Sequence, residues 1–193
     1  METFAFNPCR LLSAVRLASP ATMRRVAPFD EVAAGFWHET ITHGMLSPLT
    51  QDVVSAAERV LGVTLPDDLL RLLRIQNGGV VADMWDACPA EGSLYADDHV
   101  PFEQLFGIGP ADHANVLSVL DTPYLVQEWV LPTRCVLFSG QGHYWVALDY
   151  RTCGSDAAPS VVWIDNEMGH ELQLAPDFRA FVERLAPSAG FAG

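Results

Sequence analysis

The sequence predicts an α+β fold: a single domain in which helices pack on a mixed or largely antiparallel sheet. Two helices with apolar stripes follow each other closely between residues 48 and 76. Short apolar strands separated by tight turns occupy residues 135–174, and a further amphipathic helix covers residues 176–185. The strand connections are too short for parallel crossovers, so the strands should form an antiparallel meander.

The first 28 residues differ in composition from the rest of the chain. They contain four arginines and a single acid, Glu2. We expect a flexible N-terminal extension at residues 1–28; a transit peptide, or a chain that begins at Met23, are the alternatives. Residues 29–187 are then the predicted folded domain, and residues 188–193 a disordered tail.

Local signals place the first two helices. One short helix is predicted by the spacing of its apolar residues, Phe29, Val32, Phe36 and Trp37. A second helix should open near Ser47 or Thr50, either of which can cap it, and should end at Gly62. Its predicted inner face consists of Val53, Ala57, Val60 and Leu61.

Residues 61–79 contain the best-specified helix of the chain. Pro66 suits a first helical position, and Asp67 and Asp68 place negative charge in the first turn. The apolar stripe consists of Leu65, Leu69, Leu72 and Leu73. Asn77-Gly78-Gly79 should end the helix, because these residue types tolerate the left-handed conformation.

In the second half of the chain, secondary structure is weakly predicted up to residue 129 and clearly predicted from residue 135 onward. Residues 80–110 look like a loop with a strand near 103–108, and weak helices are predicted at 113–120 and 123–129. The strands are predicted at 135–139, 144–150, 160–165 and 171–174. Gly140-Gln141-Gly142 should form the first hairpin turn of this meander.

Composition indicates which kinds of partner this protein can bind. Half of the 193 residues are hydrophobic, the net charge is −13, and all 11 basic residues are arginine. No apolar run approaches the roughly 20 residues that cross a bilayer. The acidity disfavours nucleic acid and anionic membranes as partners and favours a basic partner, although acidity can also serve solubility alone.

The four cysteines show no CxxC spacing. We interpret Cys9, Cys88, Cys135 and Cys153 as free thiols of a cytoplasmic protein; a Cys135–Cys153 disulfide is the alternative.

A search for catalytic motifs finds no phosphate-binding loop, no HExxH pair and no GxSxG turn. The six histidines are scattered and favour structural roles. Adjacent strands could bring together one group of polar residues, Asp149, Asp165, Asn166 and Glu167. A metal or acid–base site there competes with a turn in which Asp149 accepts backbone hydrogen bonds, which we favour. We therefore expect no enzyme, no metal and no cofactor.

An acidic loop after the Gly78-Gly79 pair is the candidate binding segment. Its carboxylates would attract a basic protein over a long range, and its two aromatic residues could anchor the interface. The alternative is a solvated loop whose aromatic residues fold onto the core, Trp85 more readily than Tyr95. The predicted partner-binding residues are Asp83, Trp85, Asp86, Glu91, Tyr95, Asp97, Asp98 and Glu103.

Several segments together resemble the SUKH superfamily, nearest to the branch named after a yeast cell-wall-assembly regulator. They are LGVTLPDDLLRLLRIQNGG, EQLFGI, LPTRCVLFSGQGHYWVALDYR, VVWID and PDFRAFVERL, in this order between residues 48 and 185. The resemblance implies a SUKH-like α+β domain with a binding role and no catalytic motif. Bacterial relatives include immunity proteins of polymorphic-toxin systems, and fungal relatives are regulatory scaffolds.

Residues and resemblance together predict a non-catalytic protein that acts by stoichiometric binding. We expect an immunity protein that neutralises a cognate toxin, basic and of nuclease type, by blocking its active site or substrate groove. A regulatory scaffold without a toxin partner is the alternative, and a hydrolase that uses Asp149 is a third, weaker hypothesis.

Overall fold

A four-stranded antiparallel sheet organises the domain. The computed structural model describes residues 26–110 and 116–191. In this part of the chain the strands of the main sheet lie in sequence order and are β5 (Cys135–Gly140), β6 (Tyr144–Asp149), β7 (Ser160–Asp165) and β8 (His170–Ala175). Gly140 and Gly142, with φ of 131° and 95°, flank the β5–β6 turn, where L side chains would be strained. The predicted meander is confirmed.

Two small antiparallel pairs lie beside the main sheet. Strand β1 (Gly79–Val80) pairs with β4 (Gln104–Leu105), and β2 (Ala87–Pro89) pairs with β3 (His99–Pro101). The strand predicted near 103–108 is β4, whereas the β2–β3 hairpin lies in the part of residues 80–110 that was predicted to be a loop. Strands of two or three residues are too short to show a period-two pattern, which explains why this hairpin was missed.

Five helices in the described residues cover the sheet and its edges. They are α1 (Phe29–Ala34), α2 (Gln51–Leu61), α3 (Asp67–Ile75), α4 (Thr122–Glu128) and α5 (Phe178–Glu183). Short 3-10 turns occur at Val119–Asp121 and Ser188–Gly190. The α+β fold class is thus shown. The predicted helix at 113–120 is not formed over residues 116–118, and its earlier residues, like residues 1–25, lie outside the described ones.

Helix α2 begins later than the Ser47-Pro48 signal suggests. Thr50 is the N-cap, its hydroxyl accepting a hydrogen bond from the Val53 amide, and Gly62 ends the helix with φ 70°. The inner face is only partly as predicted. Val54 and Ala57 are buried, whereas the Val60 side chain is 62% exposed, because the helix turns that position to solvent.

Aromatic side chains fill the space between α5, the β2–β3 hairpin and the main sheet. Phe102 contacts Phe181 and Phe138 at centroid distances of 4.9 and 6.0 Å, and Phe178 lies 5.5 Å from Phe138. Such edge-to-face pairs add to the free energy gained by burying the rings. Asp177 caps α5 by accepting a hydrogen bond from the Ala180 amide at 2.8 Å. This packing gives the hairpin a rigid base.

Helix α3 ends at Ile75, and its C-cap Gln76 is extended, so the predicted left-handed stop at Asn77-Gly78-Gly79 is wrong. The Asn77-Gly78-Gly79 sequence instead joins separate chain segments. The buried Asn77 side chain donates to the carbonyls of Ser47 and Ile108 at 2.7 and 2.9 Å, and accepts from the Ile108 amide at 2.8 Å. Gly78 has φ 87°, and a Cβ there would lie 2.5 Å from the Gly107 nitrogen. Three chain segments thus meet at one point, which we call the Asn77 hub. β1 leaves the hub, and the acidic segment follows β1.

Candidate partner-binding surface

The acidic hairpin, residues 83–103, is the β2–β3 pair with its tip and flanks. Cys88 lies opposite Val100, and both are fully buried. The Ala90 amide donates to the Asp98 carbonyl at 3.0 Å and closes a seven-residue tip, residues 91–97. Within the tip, the Ser93 hydroxyl accepts a hydrogen bond from the Tyr95 amide at 3.0 Å. The core therefore fixes both ends of the exposed tip.

The hairpin carries six carboxylates and no lysine or arginine. The structure leaves four of these residues exposed, Asp83, Glu91, Asp97 and Glu103. Glu91 and Asp97 belong to the tip, whereas Asp83 precedes β2 and Glu103 follows β3. The exposed acids are thus spread along the hairpin, which gives it a negative field without a metal-binding arrangement.

Tyr95 is the exposed aromatic residue of the tip. Its residue surface is 54% accessible, and its ring lies edge-on to Tyr144 and Trp163, with centroids 6.1 Å away in both cases. Tyr144 and Trp163 stack on each other at 4.2 Å and are buried. Leu94, 57% exposed, adds apolar area beside Tyr95. Tyr95 therefore has both a rigid support and a free face, as an interface anchor requires.

The environment of Tyr144 keeps its phenol neutral. Burial, and then the nearby Glu103 carboxylate and Tyr95, raise the pKa of Tyr144 to about 12. Its hydroxyl accepts a hydrogen bond from the Gln141 side chain at 3.3 Å. The support beneath Tyr95 thus stays uncharged well above neutral pH.

Two of the predicted binding residues, Trp85 and Asp86, make contacts within the chain. Trp85 is 9% exposed, and its indole nitrogen donates to the Gly35 carbonyl at 3.1 Å, so little of its ring is available to a partner in this conformation. It follows the alternative in which the aromatic ring folds onto the core. The Asp86 carboxylate accepts hydrogen bonds from the Ser188 amide and hydroxyl at 2.6 and 2.7 Å. Asp86 and Ser188 are 102 positions apart in the sequence, so no local sequence pattern predicts this contact.

Asp98 and His99 connect the hairpin to the C-terminal residues. The Asp98 carboxylate lies 3.0 Å from His99 Nδ1, and the His99 ring stacks on Phe191 at 4.4 Å. Residues 188–191, which the sequence analysis assigns to the tail, contact the hairpin through Asp86 and His99. Residues 192–193 lie outside the described part.

The polar group around Asp149 does not assemble. Asp149 lies opposite Ser160, whereas Asp165 lies opposite Tyr144 at the other end of the same strand pair. Five residues at about 3.3 Å each separate the two ends, because neighbouring strands run antiparallel. Asp149 accepts a hydrogen bond from the Arg151 amide at 2.9 Å, as the turn hypothesis predicts.

Arg151 determines the electrostatics of Asp149. Burial alone would raise the pKa of the Asp149 carboxyl, but side-chain and backbone hydrogen bonds from Arg151 outweigh burial and lower it. Arg151 also reaches Glu171 at 2.6 Å. The carboxylate stays ionised and paired, an arrangement that suits a structural role and not a general base.

In residues 26–110 and 116–191 the cysteines are unpaired and no candidate metal site is present. Cys88, Cys135 and Cys153 are free thiols, so the alternative Cys135–Cys153 disulfide is not formed. Burial, reinforced by Asp149, raises the pKa of Cys135 to about 12, which leaves it protonated. No group of three or more metal-ligating side chains occurs in these ranges.

A cleft of about 430 Å³ lies between the starts of α3 and α5. Three of its carboxylates have partners: Asp68 forms two hydrogen bonds with Arg179, at 2.8 and 2.9 Å, Asp177 caps α5, and Asp156 accepts one from the Thr64 hydroxyl at 3.2 Å. The residues that line the cleft include no histidine and no cysteine. The acidic hairpin therefore remains the best candidate surface.

Comparison with known proteins agrees with this architecture. The family model described as the SMI1 / KNR4 family (SUKH-1) matches residues 48–184, from the segment before α2 to the end of α5. No curated protein matches the chain. SUKH domains typically bind protein partners, are generally not enzymes, and include toxin immunity proteins. Among the described residues, no helix has the length and apolarity to traverse a bilayer. With most of the chain matched, the protein belongs to the SMI1 / KNR4 (SUKH-1) family.

Proposed function

We propose that this protein is an immunity protein that binds a basic toxin domain through its acidic hairpin and blocks the toxin's anion-binding surface. The observation that carries this proposal is the tip of the hairpin, where the exposed residues Glu91 and Asp97 share one seven-residue segment with the exposed, supported ring of Tyr95. No lysine or arginine occurs in the hairpin, and the Tyr95 ring packs on the buried rings of Tyr144 and Trp163.

Electrostatic attraction accounts for the first step of binding. A net charge of −13, with six carboxylates on one hairpin, creates a field that accelerates encounter with a basic protein. A nuclease holds an anion-binding cleft for phosphate, and carboxylates can occupy such a cleft in place of phosphate oxygens. The rate of association should therefore fall steeply as salt is added.

Short-range packing accounts for the second step. Tyr95 and Leu94 offer apolar area that a partner can bury, and aromatic anchors usually contribute most of the binding free energy. Because Tyr95 already packs on Tyr144 and Trp163, little side-chain entropy is lost when it binds. The three free thiols in the described residues suit a reducing compartment, so we place this binding in the cytoplasm.

Co-expression tests the function directly. The probe would be a candidate toxin domain taken from a gene adjacent to this one, expressed in a host with and without this protein. Immunity predicts restored growth and a one-to-one complex. If the toxin kills both hosts equally, the immunity function fails for that pair, and the regulatory scaffold becomes the better hypothesis.

Charge reversal tests the surface. Glu91→Arg with Asp97→Arg changes the tip, while the control pair Glu39→Arg with Glu128→Arg makes the same net charge change at exposed positions elsewhere. We expect the tip pair to slow association roughly tenfold or more at low salt and the control pair to slow it much less. Equal effects of the two pairs would show that only net charge matters and would remove the hairpin from the interface.

A further inference from the structure

The C-terminal strap, residues 186–191, lies along the outer side of the acidic hairpin. Ala186 and Ala87 exchange two backbone hydrogen bonds, with the Ala87 amide donating at 3.1 Å and the Ala186 amide at 2.9 Å. This bridge is antiparallel and adds a third segment beside β2. The strap therefore begins as an extension of the hairpin's own hydrogen-bond ladder.

Side chains continue the attachment beyond the ladder. Ser188 donates both its amide and its hydroxyl to the Asp86 carboxylate, which precedes β2. Phe191 stacks on His99, the first residue of β3, at 4.4 Å and an interplanar angle of 28°. The strap thus contacts the hairpin at both ends: at Asp86 beside its base and at His99 beside its tip.

A third connection comes from Arg184, two residues before the strap. Arg184 donates to the carbonyl of Pro89 at 3.1 Å and also to the carbonyl of Leu174 in β8. One guanidinium therefore ties the last residue of β2 to the edge strand of the main sheet. An isolated two-stranded hairpin is marginally stable in water, so such outside contacts decide how rigid the hairpin is.

We propose that the C-terminal strap is a positioning element that holds the acidic hairpin in the arrangement that binds the partner. The proposal rests on the proposed function for the identity of the partner, but the ordering of the hairpin can be measured without any partner. Ser188 and Phe191 are the positioning residues. They act through Asp86 and His99, and not by touching the toxin. A pre-ordered hairpin avoids an entropy cost on binding, so loss of the strap should accelerate dissociation more than it slows association.

The test uses the full chain with Ser188→Ala and Phe191→Ala combined, a change that leaves the net charge unaltered. Ala189→Ser, at an exposed position of the same turn, is the matched control. Amide hydrogen exchange of Ala90 and Phe102 reports on the hairpin, because their amides bond the carbonyls of Asp98 and Asp86. The Val146 amide in β6 reports on the main sheet.

We expect roughly tenfold faster exchange at Ala90 and Phe102 in the double variant, with the exchange of Val146 and the whole of the control unchanged. Dissociation from the neighbouring toxin domain should accelerate by a similar factor, with association changed less than twofold. Unchanged exchange at the hairpin amides overturns the proposal, whether or not the toxin binds. Faster exchange with an unaltered dissociation rate refutes the link to binding. If instead the parent protein does not bind the toxin, the proposed function fails while the exchange result still decides the role of the strap.

Discussion

Replacing Asn77 by alanine tests the hub from which the acidic segment departs. The variant loses three side-chain hydrogen bonds and leaves the carbonyls of Ser47 and Ile108 and the Ile108 amide without that partner. Each bond contributes about 1 kcal/mol net, and stranding buried polar groups adds a desolvation cost, so we expect about 3–5 kcal/mol of lost unfolding free energy. For a domain of this size, the melting temperature should then fall by about 6–20 °C.

Urea and thermal denaturation followed by far-UV circular dichroism would measure the loss. The matched control is Asn166→Ala, since the Asn166 side chain makes no hydrogen bond within residues 26–110 and 116–191. We expect that control to cost less than about 1 kcal/mol, as most substitutions away from buried networks do. An Asn77→Ala variant as stable as the control would show that the Asn77 hydrogen bonds do not stabilise the fold.

Asn77→Asp refines the same test, because the shape is retained while the donor is lost. A carboxylate oxygen would then face the Ser47 and Ile108 carbonyls, and both repulsion and burial would raise its pKa in the folded state. The folded protein would bind a proton more tightly than the unfolded one, so this variant should gain stability relative to the parent as pH falls. A deficit that grows on acidification would contradict the assigned hydrogen bonds.

Three further substitutions check separate parts of the structure. Trp85→Ala should lower the unfolding free energy by about 3–5 kcal/mol in denaturation experiments. Tyr95→Ala should lower it by less than half as much and should weaken partner binding instead. The reverse pattern would make Tyr95 the core residue and Trp85 the binding anchor. Asp149→Asn should lower the unfolding free energy at pH 7, because it removes the ion pair with Arg151. The pKa of the Asp149 carboxyl is lowered in the folded protein, so the pair stabilises the fold fully above the unfolded-state pKa. This stabilisation is lost as pH falls through the folded-state pKa. The deficit of the variant should therefore shrink below about pH 4 in denaturation curves, and a deficit independent of pH would argue against the ion pair. Gly78→Ala should destabilise clearly more than Gly62→Ala, since both glycines have positive φ but only the Cβ at Gly78 meets backbone atoms, whereas that at Gly62 has none within 4 Å.

Local signals explain what the sequence could predict. Helix α3 has its acidic first turn and its apolar stripe close together in the sequence, so its position is predicted by neighbouring residues, although it ends at Ile75, before the Asn-Gly-Gly sequence. The β5–β6 turn and α5 follow in the same way from glycines and from apolar spacing. The resemblance to a known family added the order of these elements and, with it, the fold class.

Long-range contacts explain what the sequence could not predict. Asp86 is engaged by Ser188, and Asn77 joins segments 30 and 31 positions away, so neither role leaves a local pattern. The less favoured alternative of a site shared by Asp149 and Asp165 fails for a different reason: each residue ends a strand, and antiparallel pairing places the two at opposite ends. Among the predicted binding residues, only burial distinguishes Trp85 from Tyr95, and burial is a property of the folded chain.

The single hydrogen bond from the Ala90 amide to the Asp98 carbonyl divides the hairpin into a framework and a replaceable insert. Inside this closure, Tyr95 is the tip residue whose ring contacts the sheet described above. The other tip positions can therefore be exchanged in a library while Tyr95, the closure and the main sheet are kept. Such a library should yield variants that share one melting temperature but differ in partner choice, which makes this domain a candidate scaffold for engineered binders of basic proteins.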